Sequence, residues 1–215
     1  MRLYSDVVLE ELPGFFLVML EDILEKEGEW SNDENDHPTK WGIIQATADD
    51  VGYTGRLEDL SRHEAKQCWA IHSWFTPRYD LIAAHSVLIC REVVDTSGPA
   101  GRSTSTKHFQ RLLNALNDPV DTGYRYGPDL KVDGLLGVKS MVRLSDFLSH
   151  RGRDGERLFA VAINCMQLSH FVLTSENKTG KRDFSYGWWD KRVFNDLSAI
   201  MNDATVHVDN TLHVT

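Results

Sequence analysis

An amphipathic segment near the start of the chain limits the fold more than any other feature. From Gly14 to Lys26 the sequence reads GFFLVMLEDILEK, with apolar residues three or four positions apart. This spacing lines one face of a helix, and the following Gly28 is typical of a helix end. The residues on the apolar stripe are Phe16, Leu20, Ile23 and Leu24. The segment therefore predicts a helix that buries one face and ends near Gly28.

Glu27 lies on this apolar stripe although it is acidic. It follows Leu24 by three residues and Leu20 by seven, so we expect it to stand half sheltered at the end of the helix. Partial burial and the negative end of the helix dipole both disfavour an ionised carboxylate. Glu27 is therefore a candidate general acid. The alternative is a surface glutamate on a fraying last turn.

The composition is that of a soluble globular protein, with 215 residues of which 41% are hydrophobic and 26% are charged. A formal net charge of −9 argues against nucleic acid as a partner, because Lys and Arg hold nucleic acids. No apolar run reaches the roughly 20 residues that span a bilayer, and the N-terminal sequence lacks the features of a secretory signal. We expect a protein made in the cytoplasm without stable membrane insertion.

The periodicity predicts a mainly α fold. Ser61 to Trp74 begins with the capping-box pattern of Ser61 and Glu64 and continues as a helix. Asp80 to Val94 is apolar enough to be a central buried helix, which DTSGPAG at residues 95–101 should break. Further helices are predicted at His108–Leu116, Val138–His150, Arg157–Ser175 and Trp188–Met201. A small β-hairpin or irregular loop is expected at HPTKWGI, residues 37–43, and the alternating tail forms a small hairpin or frays.

Signatures of several other enzymes are incomplete. HEAKQ at His63 has Gln67 where the zinc motif HExxH needs its second histidine, and GxSxG, Walker and GxGxxG motifs do not occur. The thiols Cys68, Cys90 and Cys165 are widely spaced among apolar residues. We expect them to be buried, free and inert, since a reactive thiol needs an accessible, electropositive setting. No metal or cofactor is expected.

Carboxylates follow Glu27 closely. Glycosidases use an acid and often a second carboxylate about 5 to 9.5 Å away. Asp36, nine residues after Glu27, is the first candidate for the second carboxylate, and Asp33 is the next. Tryptophan rings suit sugars, although a tryptophan is at least as often a core anchor. The candidates that would bind sugar are Trp30, Trp41 and Trp74.

The segment EGEWSNDENDHPTKWGI, from Glu27 to Ile43, resembles the signature of glycoside hydrolase family 108. That signature is Glu-Gly-Gly-Tyr followed by an Asp-rich loop, a threonine and Gly-Ile. Similar motifs follow in order along the chain: LSRHEAKQCWAIHSWF, VVDTSGPAG, FQRLLNAL with VDGLLG, and LFAVAINCMQL with GWWDKRV. The latter half resembles the peptidoglycan-binding region associated with this family. The resemblance therefore spans nearly the entire chain.

The resemblance implies an endolysin-type N-acetylmuramidase with a mainly α, lysozyme-like fold, used by bacteriophages and some bacteria to cut peptidoglycan. Glu27 matches the family's catalytic glutamate. We expect residues 1–101 to form the catalytic half, residues 102–200 a helical peptidoglycan-binding half packed on it, and residues 201–215 a tail. The implied partner is the peptidoglycan glycan strand. A holin or another export route would give this enzyme, expected to be a monomer, access to periplasmic peptidoglycan.

The expected chemistry is acid catalysis between N-acetylmuramic acid and N-acetylglucosamine, with Glu27 as the acid. Thr39 would position a water, and Asp33 would contact substrate if Asp36 is the second carboxylate. The chain departs from the motif at Glu29, which replaces a glycine and either adds negative charge beside Glu27 or points into solvent. The alternatives are a non-catalytic peptidoglycan-binding protein on the same fold and a peptidoglycan amidase or peptidase.

Overall fold

The computed structural model describes residues 2–31, 38–117 and 127–177, together with Ser198 and Ile200. Within this described part are seven α-helices and one two-stranded antiparallel sheet, which confirms the predicted mainly α fold with a small hairpin. The chain divides into two compact units, residues 1–80 and 81–215. The predicted division into catalytic and binding halves at residue 101 stays a prediction.

The first unit contains the hairpin and three helices. Its elements are α1 (Gly14–Glu27), β1 (Trp30–Ser31), β2 (Thr39–Lys40), α2 (Gln45–Asp50) and α3 (Arg62–Ala70). A π-helical turn, Ile71–Phe75, continues α3, and α4 (Tyr79–Ala83) leads into the second unit. Short 3₁₀ turns occur at Tyr4–Asp6, Leu9–Glu11 and Leu57–Asp59.

Helix α1 forms as its apolar spacing predicts. Phe16, Leu20 and Leu24 are fully buried and stand four residues apart, so they line one face. Gly28 ends the helix with a φ of 73°, a left-handed conformation that glycine adopts readily. The buried face rests on the turn after α3, where the ring of Trp74 lies 4.8 Å from that of Phe16.

The predicted capping box at the start of α3 is confirmed. The Glu64 backbone N–H donates to Ser61 Oγ at 3.2 Å, and the Ser61 N–H donates to Glu64 Oε2 at 2.9 Å. Gln67, a buried residue of α3, donates through Nε2 to the carbonyl of Val7 at 2.9 Å. Helix α3 is thus fixed at its start and also holds the N-terminal segment of the chain.

The single buried helix predicted over Asp80 to Val94 is wrong. The chain turns after α4, and α5 (Val87–Ala100) begins beyond it. Ser86 starts α5 because its Oγ accepts the Ile89 backbone N–H at 3.0 Å. Helix α5 then continues through most of the expected break DTSGPAG and ends at Gly101, whose φ is 84°.

The second unit packs α5 against α6 (Arg102–Ala115) and α7 (Val138–Asn177). The ring of Phe159 on α7 lies 5.5 Å from Phe109 and 5.6 Å from Phe147. Gly152, with φ 55° and ψ −150°, divides α7 into two stretches, in agreement with the two helices predicted there. The last predicted helix and the tail fall almost wholly outside the described residues.

Among the described helices, only α7 is long and apolar enough, by length and composition, to cross a membrane. Core helices of soluble proteins meet the same criterion, and 39% of the apolar window of α7 is buried inside the protein. Residues 158–175 contain no charged side chain, although polar residues interrupt them. The apolar segment is thus longer than the sequence pattern indicated, and the expected lack of membrane insertion stays a prediction.

The kink at Gly152 gives a test of backbone strain. Gly152→Ala should lower the free energy of unfolding by about 1 to 3 kcal/mol, because φ and ψ there lie in a region that only glycine occupies readily. No atom crowds the added methyl group, so the effect is conformational. Urea unfolding followed by circular dichroism measures it.

Gly14→Ala is the matched control, because Gly14 is helical, lacks a positive φ and has open space around it. This change should raise the free energy of unfolding by about 0.4 to 1 kcal/mol. Equal effects of the two substitutions would contradict the strain at Gly152.

Candidate active site

The end of α1 and the hairpin bring the candidate residues together. Glu27 is the last residue of α1, and Gly28 turns the chain into β1. Strand β2 returns antiparallel to β1, with Trp30 opposite Lys40 and Ser31 opposite Thr39. The residues after β2 therefore come back to the end of α1.

A tight turn follows β2. Lys40 and Ile43 exchange backbone hydrogen bonds of 2.9 and 3.0 Å, and the two residues between them have positive φ angles, 56° at Trp41 and 75° at Gly42. This is a type I′ turn. A left-handed conformation costs tryptophan about 1 to 2 kcal/mol. Trp69 Nε1 offsets part of that cost by donating to the Trp41 carbonyl at 3.0 Å.

Gly42 lies directly against the side chain of Glu27. A Cβ atom added to Gly42 would stand 2.6 Å from Glu27 Cγ and 3.0 Å from its Cδ. Real Cβ atoms essentially never make contacts that short, so any larger residue would displace Glu27. The glycine of the turn thus sets where this carboxylate lies.

Glu27 is exposed, and the prediction that it stands half sheltered is wrong. It continues the stripe of Leu20 and Leu24, but it lies one turn beyond the last buried layer of α1. Within the described residues, no hydrogen bond or ion pair engages its carboxylate. Asp33 and Asp36, the candidates for the second carboxylate, fall in residues 32–37, outside the described part of the chain.

Glu29 is directed to the neighbouring strand. Lys40 Nζ donates to Glu29 Oε1 at 3.0 Å, and the Glu29 side chain is 67% exposed. Glu29 replaces a glycine of the family motif, and Lys40 offsets the negative charge that this replacement introduces. Glu29 is therefore neither unpaired beside Glu27 nor directed only into solvent. Of the other predicted residues on the hairpin, Trp30 is exposed and Thr39 is half-buried.

Trp74 is a core residue, and its predicted role as a support for sugar is wrong. Only 3% of it is exposed, and its ring lies 6.0 Å from Phe15 and 4.8 Å from Phe16. Its ring therefore packs against α1. Trp41 is half-buried, with the Arg62 guanidinium carbon 5.6 Å from its ring.

A pocket of about 280 Å³ adjoins the turn. Its lining includes Gly42, so a single residue touches both the pocket and Glu27. Trp69 and His72 form another part of the wall, and their rings stand 6.2 Å apart, edge to face. Sequence reasoning missed both residues. The spacing of the two rings could have identified them, because residues three positions apart on the predicted helix lie on one face.

Two cations of α3 fix α1 beside this pocket. Glu21 of α1 accepts hydrogen bonds from Lys66 and, at 2.7 Å, from Arg62 Nη2. The hydrogen bond from Lys66 is the main cause that lowers the pKa of Glu21, so this anchor remains charged. The same Arg62 covers the ring of Trp41. Helix α3 therefore contacts both α1 and the turn.

The thiols differ in their exposure. Cys68 lines the pocket but is only 1% exposed, and burial raises its pKa to about 12. Cys90 is also buried, as predicted, whereas Cys165 is exposed on α7 and the prediction of its burial is wrong. A thiol held protonated at neutral pH is a poor nucleophile. Cys68 is therefore a packing residue in the wall of the pocket.

Comparison with known families gives two matches. Residues 20–100 match the family described as glycosyl hydrolase 108, and residues 104–193 match a predicted peptidoglycan domain. No match was found among curated proteins. The family resemblance is thus confirmed, and the first match contains Glu27, the hairpin, the turn and α3.

The contact between Gly42 and Glu27 gives a test in which strain and crowding are separated. Gly42→Ala places a methyl group against Glu27 Cγ in the native protein, whereas in a Glu27→Ala background the same backbone conformation meets no Cγ. Gly42→Ala should therefore lower the free energy of unfolding by about 1 to 3 kcal/mol more in the native background than in the Glu27→Ala background. Urea unfolding of the single and double variants measures the difference, and equal losses in the two backgrounds would contradict the contact.

The thiols give a second test. In the native protein, Ellman's reagent should titrate Cys165 rapidly and leave Cys68 and Cys90 unreacted until denaturant is added, because only Cys165 is exposed. Cys165→Ser should abolish the rapid reaction. Labelling of native Cys68, identified by mass spectrometry, would show that its burial is incorrect.

Proposed function

Because residues 20–100 place the chain in glycosyl hydrolase family 108, we propose that it is an N-acetylmuramidase. The two family matches together make it a glycoside hydrolase that acts on peptidoglycan. The bond we assign is the β-1,4 linkage between N-acetylmuramic acid and N-acetylglucosamine. The proposed role is bacterial cell lysis by an enzyme made in the cytoplasm, with a holin or another route giving access to the wall.

The observation that carries this proposal is the position of Glu27. Its side chain rests on Gly42 at the end of α1, is open to solvent, and has no hydrogen-bond or ion-pair partner among the described residues. A general acid must reach the glycosidic oxygen, so its carboxyl group has to be accessible and oriented. The Gly42 contact limits where this side chain can point, and exposure leaves the carboxyl group open to substrate.

In the proposed reaction, Glu27 gives its proton to the glycosidic oxygen while a water or a carboxylate attacks the anomeric carbon from the opposite face. Asp36 is the first candidate for the second carboxylate and Asp33 the next, because both belong to the connection between β1 and β2. Thr39 begins β2 directly after that connection and is proposed to position the water.

The pocket beside Gly42 is the proposed place for a sugar residue. Trp69 and His72 supply ring surface, and Thr47 supplies a hydroxyl group in the same wall. An aromatic surface with nearby polar groups suits a sugar that carries an acetamido group. These residues replace Trp74 in the proposed site, while Trp30 on β1 remains a candidate because it is 44% exposed.

Glu27→Gln should reduce the release of reducing ends from purified cell walls by about 10²- to 10⁴-fold, the usual contribution of a general acid. Glutamine keeps the shape of the side chain but carries no acidic proton. Glu25→Gln, an exposed position two residues earlier on α1, is the matched control and should retain full activity.

The same digests distinguish the rival functions. Near-native activity of Glu27→Gln would remove the proposed mechanism, and unchanged activity of Asp36→Asn would remove only that residue's role. Release of amino groups by the native protein would identify an amidase or peptidase. Wall binding without release of either product would identify a non-catalytic binding protein.

A further inference from the structure

A groove on the second unit has a composition unlike that of the candidate active site. Two adjoining pockets, of about 470 and 310 Å³, lie between the loop before α7 and the first turns of that helix. They share the walls formed by Leu130, Lys131, Val138 and Lys139, and the larger one also reaches Val142 and Arg143. We call these six residues the cationic groove.

Arg143 is a buried cation in the wall of this groove. It is 4% exposed, and its Nη2 donates to the Pro128 carbonyl at 2.7 Å. Its Nη1 has no hydrogen-bond partner, and no carboxylate pairs with it among the described residues. A buried cation with an unpartnered donor is stabilised when an anion occupies the adjoining space.

Two exposed lysines add positive charge at the mouth of the groove. Two carboxylates, Asp129 and Asp133, also line the pockets. Asn117 donates to Asp129 at 2.7 Å and Gln110 donates to Asp133 at 3.0 Å. The hydrogen bond from Gln110 and the nearby charge of Lys131 lower the pKa of Asp133, so this acid stays ionised. Val138 and Lys139 also begin α7, whose N-terminal end adds partial positive charge. Three cations against two carboxylates leave the groove with one net positive charge, although the chain as a whole is acidic.

The apolar part of the groove is aliphatic. Val138 and Val142 are 76% and 54% exposed, and Leu135 beside them is 72% exposed. No aromatic side chain lines either pocket in the described part of the chain. Sugar rings are usually held on aromatic faces, so this lining suits small aliphatic groups and carboxylates better than it suits a glycan.

We propose that the cationic groove binds the stem peptide of peptidoglycan through its carboxylates, with the alanine methyl groups against the valines and Leu135. The inference rests on the proposed function, because it assigns the stem peptide, one component of the proposed substrate peptidoglycan, to the predicted peptidoglycan domain. The glycan strand then belongs to the first unit and the peptide to the second. Peptide binding would hold the enzyme on the wall without occupying the site of cleavage.

Calorimetric titration of the full chain tests the proposal with three probes. They are a tetrapeptide of L-alanine, γ-D-glutamate, diaminopimelate and D-alanine with free carboxylates, the same peptide with its carboxylates amidated, and a chitohexaose. The free peptide should bind most tightly to the native protein. Lys131→Gln with Lys139→Gln should weaken its binding about 10-fold or more, because two charged contacts are lost.

The matched control is Arg111→Gln with Arg153→Gln, which removes the same charge from exposed positions of the second unit outside the groove. It should change the affinity less than 2-fold. Unchanged affinity of the lysine variant would overturn the proposal, as would tighter binding of the amidated peptide or of chitohexaose.

Cleavage of peptide-free glycan strands keeps this test separate from the proposed function. The lysine variant should cut such strands at the native rate, since its substitutions lie in the second unit. A native protein that binds the peptide but cuts no glycan would refute the muramidase function and leave the groove assigned. A protein that cuts glycan but does not distinguish the free peptide from the amidated peptide would support the muramidase function and overturn the proposal for the groove.

Discussion

The contact between the Glu27 side chain and the Gly42 backbone is the constraint on which the candidate site depends. No Cβ fits between them, and the positive φ of Gly42 belongs to a turn that also forces Trp41 into a left-handed conformation. Such strain persists only where surrounding contacts determine the backbone. Here the hydrogen bond from Trp69 to the Trp41 carbonyl supplies one of those contacts. Strain in the turn is therefore coupled to the position of the carboxylate.

Helix α3 fixes both partners of that contact. Its Lys66 and Arg62 hold Glu21 of α1, and its Trp69 holds the turn. The helix is itself fixed by the capping box at Ser61. Residues far apart in the chain thus determine where Glu27 lies, although none of them takes a proposed part in proton transfer. Exposed ion pairs stabilise a protein by less than about 1 kcal/mol each, so their role here is to set position.

Local patterns were sufficient to predict α1, its end at Gly28 and the capping box of α3, because each depends on residues within one or two turns. Tertiary contacts decided the rest. Trp74 has the same side chain as Trp69, but only the packing of Phe15 and Phe16 shows that it belongs to the core. The division between α4 and α5 could not be predicted from the sequence for a related reason. Ser86 lies in an apolar sequence, and only the hydrogen bond that its Oγ accepts from the Ile89 N–H shows that it starts a helix.

In the second unit, the end of the family match does not coincide with a boundary between packed groups of helices. The glycosyl hydrolase 108 match ends at residue 100, the last residue of α5, yet α5 packs on α6 and α7. Two polar pairs join α5 to α7: Asn164 donates to the buried carboxylate of Glu92, and Gln167 donates to Asp95 at 2.7 Å. Leaving a buried hydrogen-bond acceptor without its donor costs about 1 to 3 kcal/mol. A cut after residue 101 would remove both amide donors and uncover the apolar face of α5. The segment that carries the hydrolase motifs therefore depends on the peptidoglycan domain for the stability of its last helix.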